Sequence, residues 1–359
     1  MKAMVRGCSL TSLVTPTPKL FVGHPFSPLR FKSMASCVDA SRSQTHEQDH
    51  SRISRPSFAD RVPSLPICKY RVNTLHTRSV TEEVEVDEAE GDVWVKMQDE
   101  ARFDVTSEPI LSSYYQNSIL SHESLESALA NHLAMKLSSS SLQSGTLCDL
   151  FVGVLEADQN IMDAVKNDLR AVNERDPACI SHVHCFLNFK GFLACQAHRV
   201  AHKFWLEGRR VLAVMIQNRV SEVFGVDFHP GAKIGSGILL DHATGIVVGE
   251  TAVIGNDVSI LHSVTLGGTG KVCGDRHPKI GDGVLIGAGS CILGNIKIGD
   301  GAKIGAGSVV IKEVPPRTTV VGNPAKLIGG KNNPIKLDKI PSLTMDHTSH
   351  FSDFYDYCV

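Results

Sequence analysis

Two patterns of apolar residues divide the chain. From Val93 to Phe224 they recur at helical spacing, with Leu125, Leu129, Leu133, Met135 and Leu137 following Ser121 and Ser124, either of which could cap a helix. Leu150, Phe151, Val154 and Leu155 continue the pattern, then Ile161, Met162, Val165 and Leu169, and Leu212, Met215, Ile216, Val220 and Val223 share one side of a last run. Val211 and Val214 fall off that stripe, which predicts helices packed against more than one neighbour, although an ordinary two-sided core helix fits equally well. Gly225 closes the helical half. From Phe228 the period becomes six, through Ile234, Leu240, Ile246, Ala252, Val258 and Val264, and again through Ile280, Ile286, Ile292, Ile298, Ile304 and Val310. Six matches neither a helix nor a flat strand. It is the hexapeptide signature of a parallel β-helix, whose coils of three short faces take about 18 residues each, so about four coils are expected. Pro315-Pro316 and Val321-Gly322-Asn323-Pro324 end the last one.

Chemistry is sought where the ladder breaks. Val264 and Ile280 are 16 positions apart, not a multiple of six, which predicts a loop from Gly267-Gly268-Thr269-Gly270 to Arg276-His277-Pro278. Such a loop in an otherwise regular repeat suits binding. The polar pair Asp241-His242 interrupts the first ladder, and Asp227 precedes His242 by 15 positions, one coil less three. That spacing predicts Asp227 and His242 stacked on adjacent turns near one corner, about 4.8 Å apart. A carboxylate beside an imidazole orients a general base, which contributes about 10²–10⁴ in rate.

Arg276 suits a carboxylate ligand through its planar fork, with a loop salt bridge to Asp275 or Asp282 as the alternative. Gly268 and Lys271 could bring backbone donors and a cation to a phosphate-bearing ligand. Ala288 and Ala306, each in an Ile-Gly-Ala-Gly unit, leave room for an extended ligand or simply for tight turns. His229, His262 and His277 lack a recognisable zinc-ligand spacing, so no metal is expected.

Composition narrows the class. The net charge of −2 gives no drive toward nucleic acid, and no run approaches the roughly 20 apolar residues of a membrane span. Ten cysteines without a CxxC pair fit a reduced compartment. No acid precedes Asp39, whereas Lys2, Arg6, Lys19, Arg30 and Lys32 are basic and hydroxyl residues are frequent, the composition of an organelle transit peptide. Few arginines and several prolines favour chloroplast over mitochondrion; a start at Met34 would leave a cytosolic form, and a disordered cytosolic tail is the plainer alternative. The expected organisation is α+β: residues 1–80 transit peptide and linker, 81–92 acidic linker, 93–225 helical domain, 226–328 β-helix and 329–359 flexible tail.

Several motifs in fixed order resemble the plant-type serine O-acetyltransferases. They are Asp227-Phe228-His229-Pro230, Leu240-Asp241-His242-Ala243-Thr244-Gly245, Val248-Gly249-Glu250-Thr251 and Gly274-Asp275-Arg276-His277-Pro278, together with Asp176-Pro177-Ala178 and the run from Gly191 to His202. The resemblance implies a left-handed parallel β-helix behind a helical domain, and trimers paired into a homohexamer through the helices. It also implies acetyl transfer from acetyl-CoA to L-serine, with His242 as base and Asp227 as its partner. Asp176 and Asp241 would hold the ammonium, while Arg276 would grip the carboxylate with His277 beside it. Acetyl-CoA, the co-substrate, would run past Gly268, Ala288 and Ala306 toward Lys271. Sites in this family lie between adjacent subunits, and the thioester needs neither a metal nor a covalent enzyme intermediate. A chiefly regulatory subunit, or a hexapeptide acetyltransferase for another acceptor, are the competing readings. The intact Asp227, Asp241, His242, Arg276 and His277 speak against the first, and Asp176 together with Arg276 against the second.

In the family a tail ending in isoleucine docks into O-acetylserine sulfhydrylase; here the final residue is Val359. The missing methylene is worth about 0.8 kcal/mol if buried, roughly fourfold in affinity. Titration calorimetry against that enzyme should therefore show tighter binding for Val359→Ile, and equal affinities would mean that this side chain is not what docks.

Overall fold

A computed structural model of the chain describes residues 92–270 and 273–348. The chain divides into two units, Met1–Thr81 and Glu82–Val359, and every described residue lies in the second. The expected transit peptide and linkers, Lys271 and Val359 lie outside the described residues.

Eight helices precede the first strand among the described residues: α1 Val93–Ser107, α2 Ser112–Tyr115, α3 Leu125–Leu137, α4 Ser144–Ala157, α5 Gln159–Arg175, α6 His182–Asn188, α7 Lys190–Leu206 and α8 Arg210–Phe224. Ser124, not Ser121, caps α3, its hydroxyl accepting from Ser127 N at 3.2 Å. Leu125, Leu129, Leu133 and Leu137 are buried as the spacing predicts, whereas Met135 points out. Gly225 adopts φ +70 at the end of α8, the left-handed geometry that suits glycine. The off-stripe Val211 and Val214 are both exposed.

The strands follow at once: β1 Asp227–Phe228, β2 Lys233–Ile234, β3 Leu239–Asp241, β4 Val247–Val248, β5 Val253–Ile254, β6 Ser259–Leu261, β7 Thr265–Gly267, β8 Lys279–Ile280, β9 Leu285–Ile286, β10 Cys291–Leu293, β11 Lys297–Ile298, β12 Lys303–Ile304, β13 Val309–Val310, β14 Thr319–Val321 and β15 Lys326–Leu327. They stack into three parallel sheets, β1-β4-β7-β10-β13, β2-β5-β8-β11 and β3-β6-β9-β12-β14, with β15 closing the last sheet antiparallel. Strands β1–β12 make four full turns of a parallel β-helix and β13–β14 a shortened fifth.

The register corrects the single ladder. Leu240 pairs with Ile260, and Phe228 with Val248, so the inward strand residues run Phe228, Ile234, Leu240, Val248, Ile254, Ile260, Leu266, Ile280. The step from Leu240 to Val248 is eight positions and that from Leu266 to Ile280 fourteen. There are thus two insertions, of two residues and of eight, where the six-residue ladder predicted one break. Ile246, Ala252, Val258 and Val264 are buried too, but each sits two positions ahead of the residue that pairs. A strict period of six passes from one buried set to the other at the first insertion, and so conceals it.

Helices and coils share one apolar core, and side chains of α5 and α7 satisfy the exposed edge of the first coil. Its carbonyls have no preceding coil to bond. Arg199 donates to Ile234 O (3.2 Å) and Gly235 O (2.7 Å), Arg175 to Gly237 O (2.9 Å), and His198 and His202 meet Ala232 O and Pro230 O at 3.2 and 2.7 Å. Asp168, fully buried, accepts from Arg199 at 2.7 Å, Gln196 at 2.9 Å and Ile238 N at 2.8 Å. Burial opposes the charge on Arg199, yet Asp168 holds its pKa above the usual value. Removing one member of such a pair strands the other. Asp168→Ala should lower the unfolding free energy by about 3–5 kcal/mol, read as a reduced urea midpoint. The same change at exposed Asp163 should move it by less than about 0.5 kcal/mol, and equal shifts would count against the pair's role.

Candidate active site

His242 stands on the two-residue insertion. The coil cannot absorb extra residues within a strand without turning its core face outward, so they bulge at the corner between β3 and β4. His242 and Ala243 both take positive φ, 55 and 54, conformations that side chains adopt at a cost of about 1–3 kcal/mol each. The bulge is held by Gly245 N to Gly225 O (2.7 Å), Ser263 N to Thr244 O (2.8 Å) and a bond from Lys190 Nζ to Thr244 Oγ1. Ala243 is buried under the start of α7, where Gly191 has no room for a side chain: a Cβ would lie 2.2 Å from Leu240 O. His242 itself projects outward, its side chain 76% exposed.

A column descends from it. Asp241 pairs with Leu261, and Ile260, Ile286 and Ile304 pair in turn, so His242, His262, Ala288 and Ala306 occupy successive rungs of one corner. The His242 and His262 rings lie edge to face, 5.9 Å between centroids. Gly289 N bonds His262 O and Gly307 N bonds Ala288 O, which continues the stack. With rungs about 4.8 Å apart, the alanines leave a shallow track below the imidazole.

Asp227 does not stack on His242. Its register partner is Val247, because the two-residue bulge lengthens the first coil, and its carboxylate accepts from Gln217 Nε2 at 2.6 Å. Among the described residues the carboxylate within ion-pair distance of His242 is Asp241, with Oδ1 3.7 Å from Nε2. That spacing is an electrostatic contact and too long for a hydrogen bond.

Arg276 and His277 lie at a different corner, the one between β1-β4-β7 and β2-β5-β8, where the eight-residue insertion folds back. Thr251 organises it. Its hydroxyl accepts from Arg276 N (3.0 Å) and His277 N (3.1 Å), and its own N–H donates to His277 Nδ1 at 3.2 Å. Nδ1 therefore carries no proton, and the neutral ring keeps its proton on Nε2. Burial first, and then Arg276, push His277 below the usual imidazole value. A Cβ at Gly249 would stand 2.0 Å from the His277 ring, so glycine there admits the imidazole. Arg276 pairs with Glu250 at 3.0 Å rather than with Asp275 or Asp282, and Asp275 pairs instead with Lys279 at 2.5 Å. Gly268 faces the Arg276 side chain, whose Cγ would lie 3.2 Å from a Cβ there. Glu250, Thr251 and Lys190 complete this geometry; Glu250 and Thr251 lie in the motif Val248-Gly249-Glu250-Thr251, but no period in the sequence marks any of the three.

Asp176 ends α5, its Oδ1 accepting from Ala178 N at 2.8 Å. The preceding Arg175 fastens that end to Gly237, on the turn leading into β3 and Asp241, and to Asp257, on the turn into β6 one coil further on. His262 belongs to the His242 column and His229 and His277 to the other corner, so these three imidazoles do not converge.

Known proteins share this arrangement. Residues 93–197 match the family model of the serine acetyltransferase N-terminal region, and residues 277–312 that of the bacterial transferase hexapeptide (six repeats). Serine acetyltransferase 3, mitochondrial, of Arabidopsis thaliana is 60% identical over 336 residues, covering 91% of this chain and 86% of its own length. Serine acetyltransferase 1, chloroplastic, of the same plant is 60% identical over 333 residues, covering 91% and 100%. The structure of soybean serine acetyltransferase complexed with serine superposes with a TM-score of 0.64 at 65% identity, covering 65% of this chain and 96% of that one. With helical domain, hexapeptide coils and His242 corner all in place, this chain belongs to the serine acetyltransferase family.

Proposed function

We propose that this acyltransferase moves the acetyl group of acetyl-CoA to the hydroxyl of L-serine, with His242 as general base. The observation that carries the reading is the corner column: an imidazole raised on a bulge above Ala288 and Ala306, which leave room for an extended thioester substrate. His242 takes the serine hydroxyl proton as the oxygen attacks the thioester carbonyl, and the imidazolium then protonates the departing CoA thiolate. Asp241, 3.7 Å away, adds electrostatic stabilisation to that imidazolium. Asp227, whose carboxylate is bonded to Gln217, is the partner carboxylate on the first strand, and its amide donates to Ile246 O just past the bulge.

Serine is an amino acid with two charged ends. Asp176 and Asp241 are the carboxylates for its ammonium, and Arg276, with the Nε2–H of His277, suits its carboxylate. Because Arg276 and His277 occupy a different corner from His242 in one chain, the reading requires a second copy to bring its Arg276 corner against this His242 corner. A trimer of coils does so, and helix contacts pairing two trimers give the homohexamer. Gly268 admits the Arg276 side chain and, with Ala288, Ala306 and Lys271, is a residue for acetyl-CoA. The C-terminal tail ending in Val359 is the segment for O-acetylserine sulfhydrylase, and the basic N-terminus directs the chain to the chloroplast.

His242→Ala should lower kcat by about 10²–10⁴ in a serine-dependent assay of CoA release. Arg276→Ala should chiefly raise the KM for serine. Mixed oligomers of the two variants should regain activity through sites that combine an intact His242 with an intact Arg276. Recovery no greater than the sum of the separate variants would place both residues in one chain's site instead. For targeting, a fluorescent fusion to residues 1–80 should enter chloroplasts and one beginning at Met34 should not; mitochondrial signal would reverse the assignment.

A further inference from the structure

Two thiols meet at the turn that leaves α5. Cys179 N donates to Asp176 O at 2.9 Å and Ala178 N to Asp176 Oδ1 at 2.8 Å, so the turn that positions Asp176 closes on Cys179. Cys179 Sγ lies 3.3 Å from Ser181 O, and that same carbonyl takes the backbone N–H of Cys185 at 3.1 Å. Both cysteines therefore hang from one carbonyl, and the Cys185 thiol is the largest influence on the Cys179 sulfur. Asn173 Nδ2 adds a donor to the Cys179 sulfur at 3.9 Å. Cys179 is half-buried and reachable, while Cys185 is buried in α6.

We propose that Cys179 and Cys185 are a reversible redox site, in which a small-molecule disulfide of the glutathione type converts the two thiols into a bridge that reshapes the turn carrying Asp176. The pair is unequal in the way such chemistry needs. The hydrogen bond from Cys185 outweighs burial and brings Cys179 down to about 7, so a large fraction is thiolate near neutral pH. Burial first, then the neighbouring Cys179, holds Cys185 well above the ordinary thiol value, which keeps it inert until its partner has reacted. Cys179 thiolate attacks one sulfur of the oxidant, giving a mixed disulfide and one departing thiolate. Cys185 then attacks the Cys179 sulfur, and its proton leaves with the second small thiol. Two protein thiols are oxidised and one disulfide is reduced to two thiols, so atoms and electrons balance. Transient bridges of this kind are the form in which disulfides occur in reducing compartments.

The bridge stands on the shared Ser181 carbonyl and the unequal thiols, whereas its effect on serine rests on the proposed role of Asp176. A misplacement of about 1 Å can lower turnover by as much as about 100-fold, so the bridged form should lose at least about tenfold in kcat/KM for serine, with the KM for acetyl-CoA unchanged. The full chain is treated with oxidised glutathione, digested without reduction and weighed by mass spectrometry, beside Cys179→Ser, Cys185→Ser and Asp176→Asn. A peptide lighter by two hydrogens, lost activity restored by dithiothreitol, and a glutathione adduct trapped on Cys179 in Cys185→Ser support the proposal. Bridging that speeds up as pH rises through about 7 adds the signature of the Cys179 thiolate. No bridge in the wild type, or glutathione left on Cys179 there, overturns it. A bridge without a serine effect, while Asp176→Asn weakens serine, overturns the coupling and leaves the serine site standing. If neither change affects serine, the role of Asp176 fails and the redox site alone survives.

Discussion

The buried Asp168–Arg199 pair is the constraint on which the rest of the molecule depends. A β-helix has an open end, and a bare sheet edge there exposes a row of unsatisfied carbonyls. Arg199, Arg175, His198 and His202 supply donors to that row, and Asp168 returns a carboxylate to the Ile238 amide. Two buried charges hold each other only when every hydrogen bond is made, so helices α5 and α7 cannot slide over the first coil without leaving a charge unpaired. The pair thus does more for position than for net stability. It fixes α7, and with it Lys190 and Gly191, over the corner that carries His242.

With that edge fixed, the two extra residues of the first coil have one outlet. Below the corner, Leu240 and Ile260 are locked in register, and above it Gly191 touches Leu240 O too closely to allow a side chain. The backbone therefore loops out through His242 and Ala243 in left-handed conformations that a regular coil would not use. The strain has a local compensation in the buried Ala243 and the bonds of Thr244 and Gly245. An imidazole held in this way has a fixed origin but a free outer face. That combination suits proton transfer to a substrate lying across the column.

The scaffold was legible in the sequence because six is a period no other common element has. The phase of the ladder was not. Each coil buries aliphatic residues both at the strand and two positions ahead of it, so Ile246 and Val248 look equally like the next rung after Leu240. Choosing Ile246 hid a two-residue insertion, added those two residues to the apparent loop insertion, and put Asp227 beside His242 when its register partner is Val247. The chemical residues stood out because charges and imidazoles interrupt an aliphatic pattern. Their supports did not, since Thr251, Glu250 and Lys190 act through contacts made across more than 20 residues of chain. Asp168 and Arg199 were hidden for the opposite reason: on a helix, a charged residue reads as solvent-facing until the edge it satisfies is known.

Under the proposed function, the two insertions also explain why a single coil would be an incomplete catalyst. A triangular coil turns its corners away from one another, so a base on one corner and a carboxylate clamp on the next face outward in different directions. Neither can be moved to the other's corner without cost. The His242 corner needs α7 above it and small residues below, while the Arg276 corner needs eight added residues, Gly249 beneath the imidazole and Thr251 to tie both amides. In the proposed trimer, packing identical coils around a threefold axis would set one copy's first corner against another's second, and the outward directions would become convergent. The substrate then lies between chains, where closing over it excludes water and strengthens each charge pair. On the proposed reading assembly is part of the chemistry, because the geometry that separates the two corners in one chain is the geometry that would join them in a trimer.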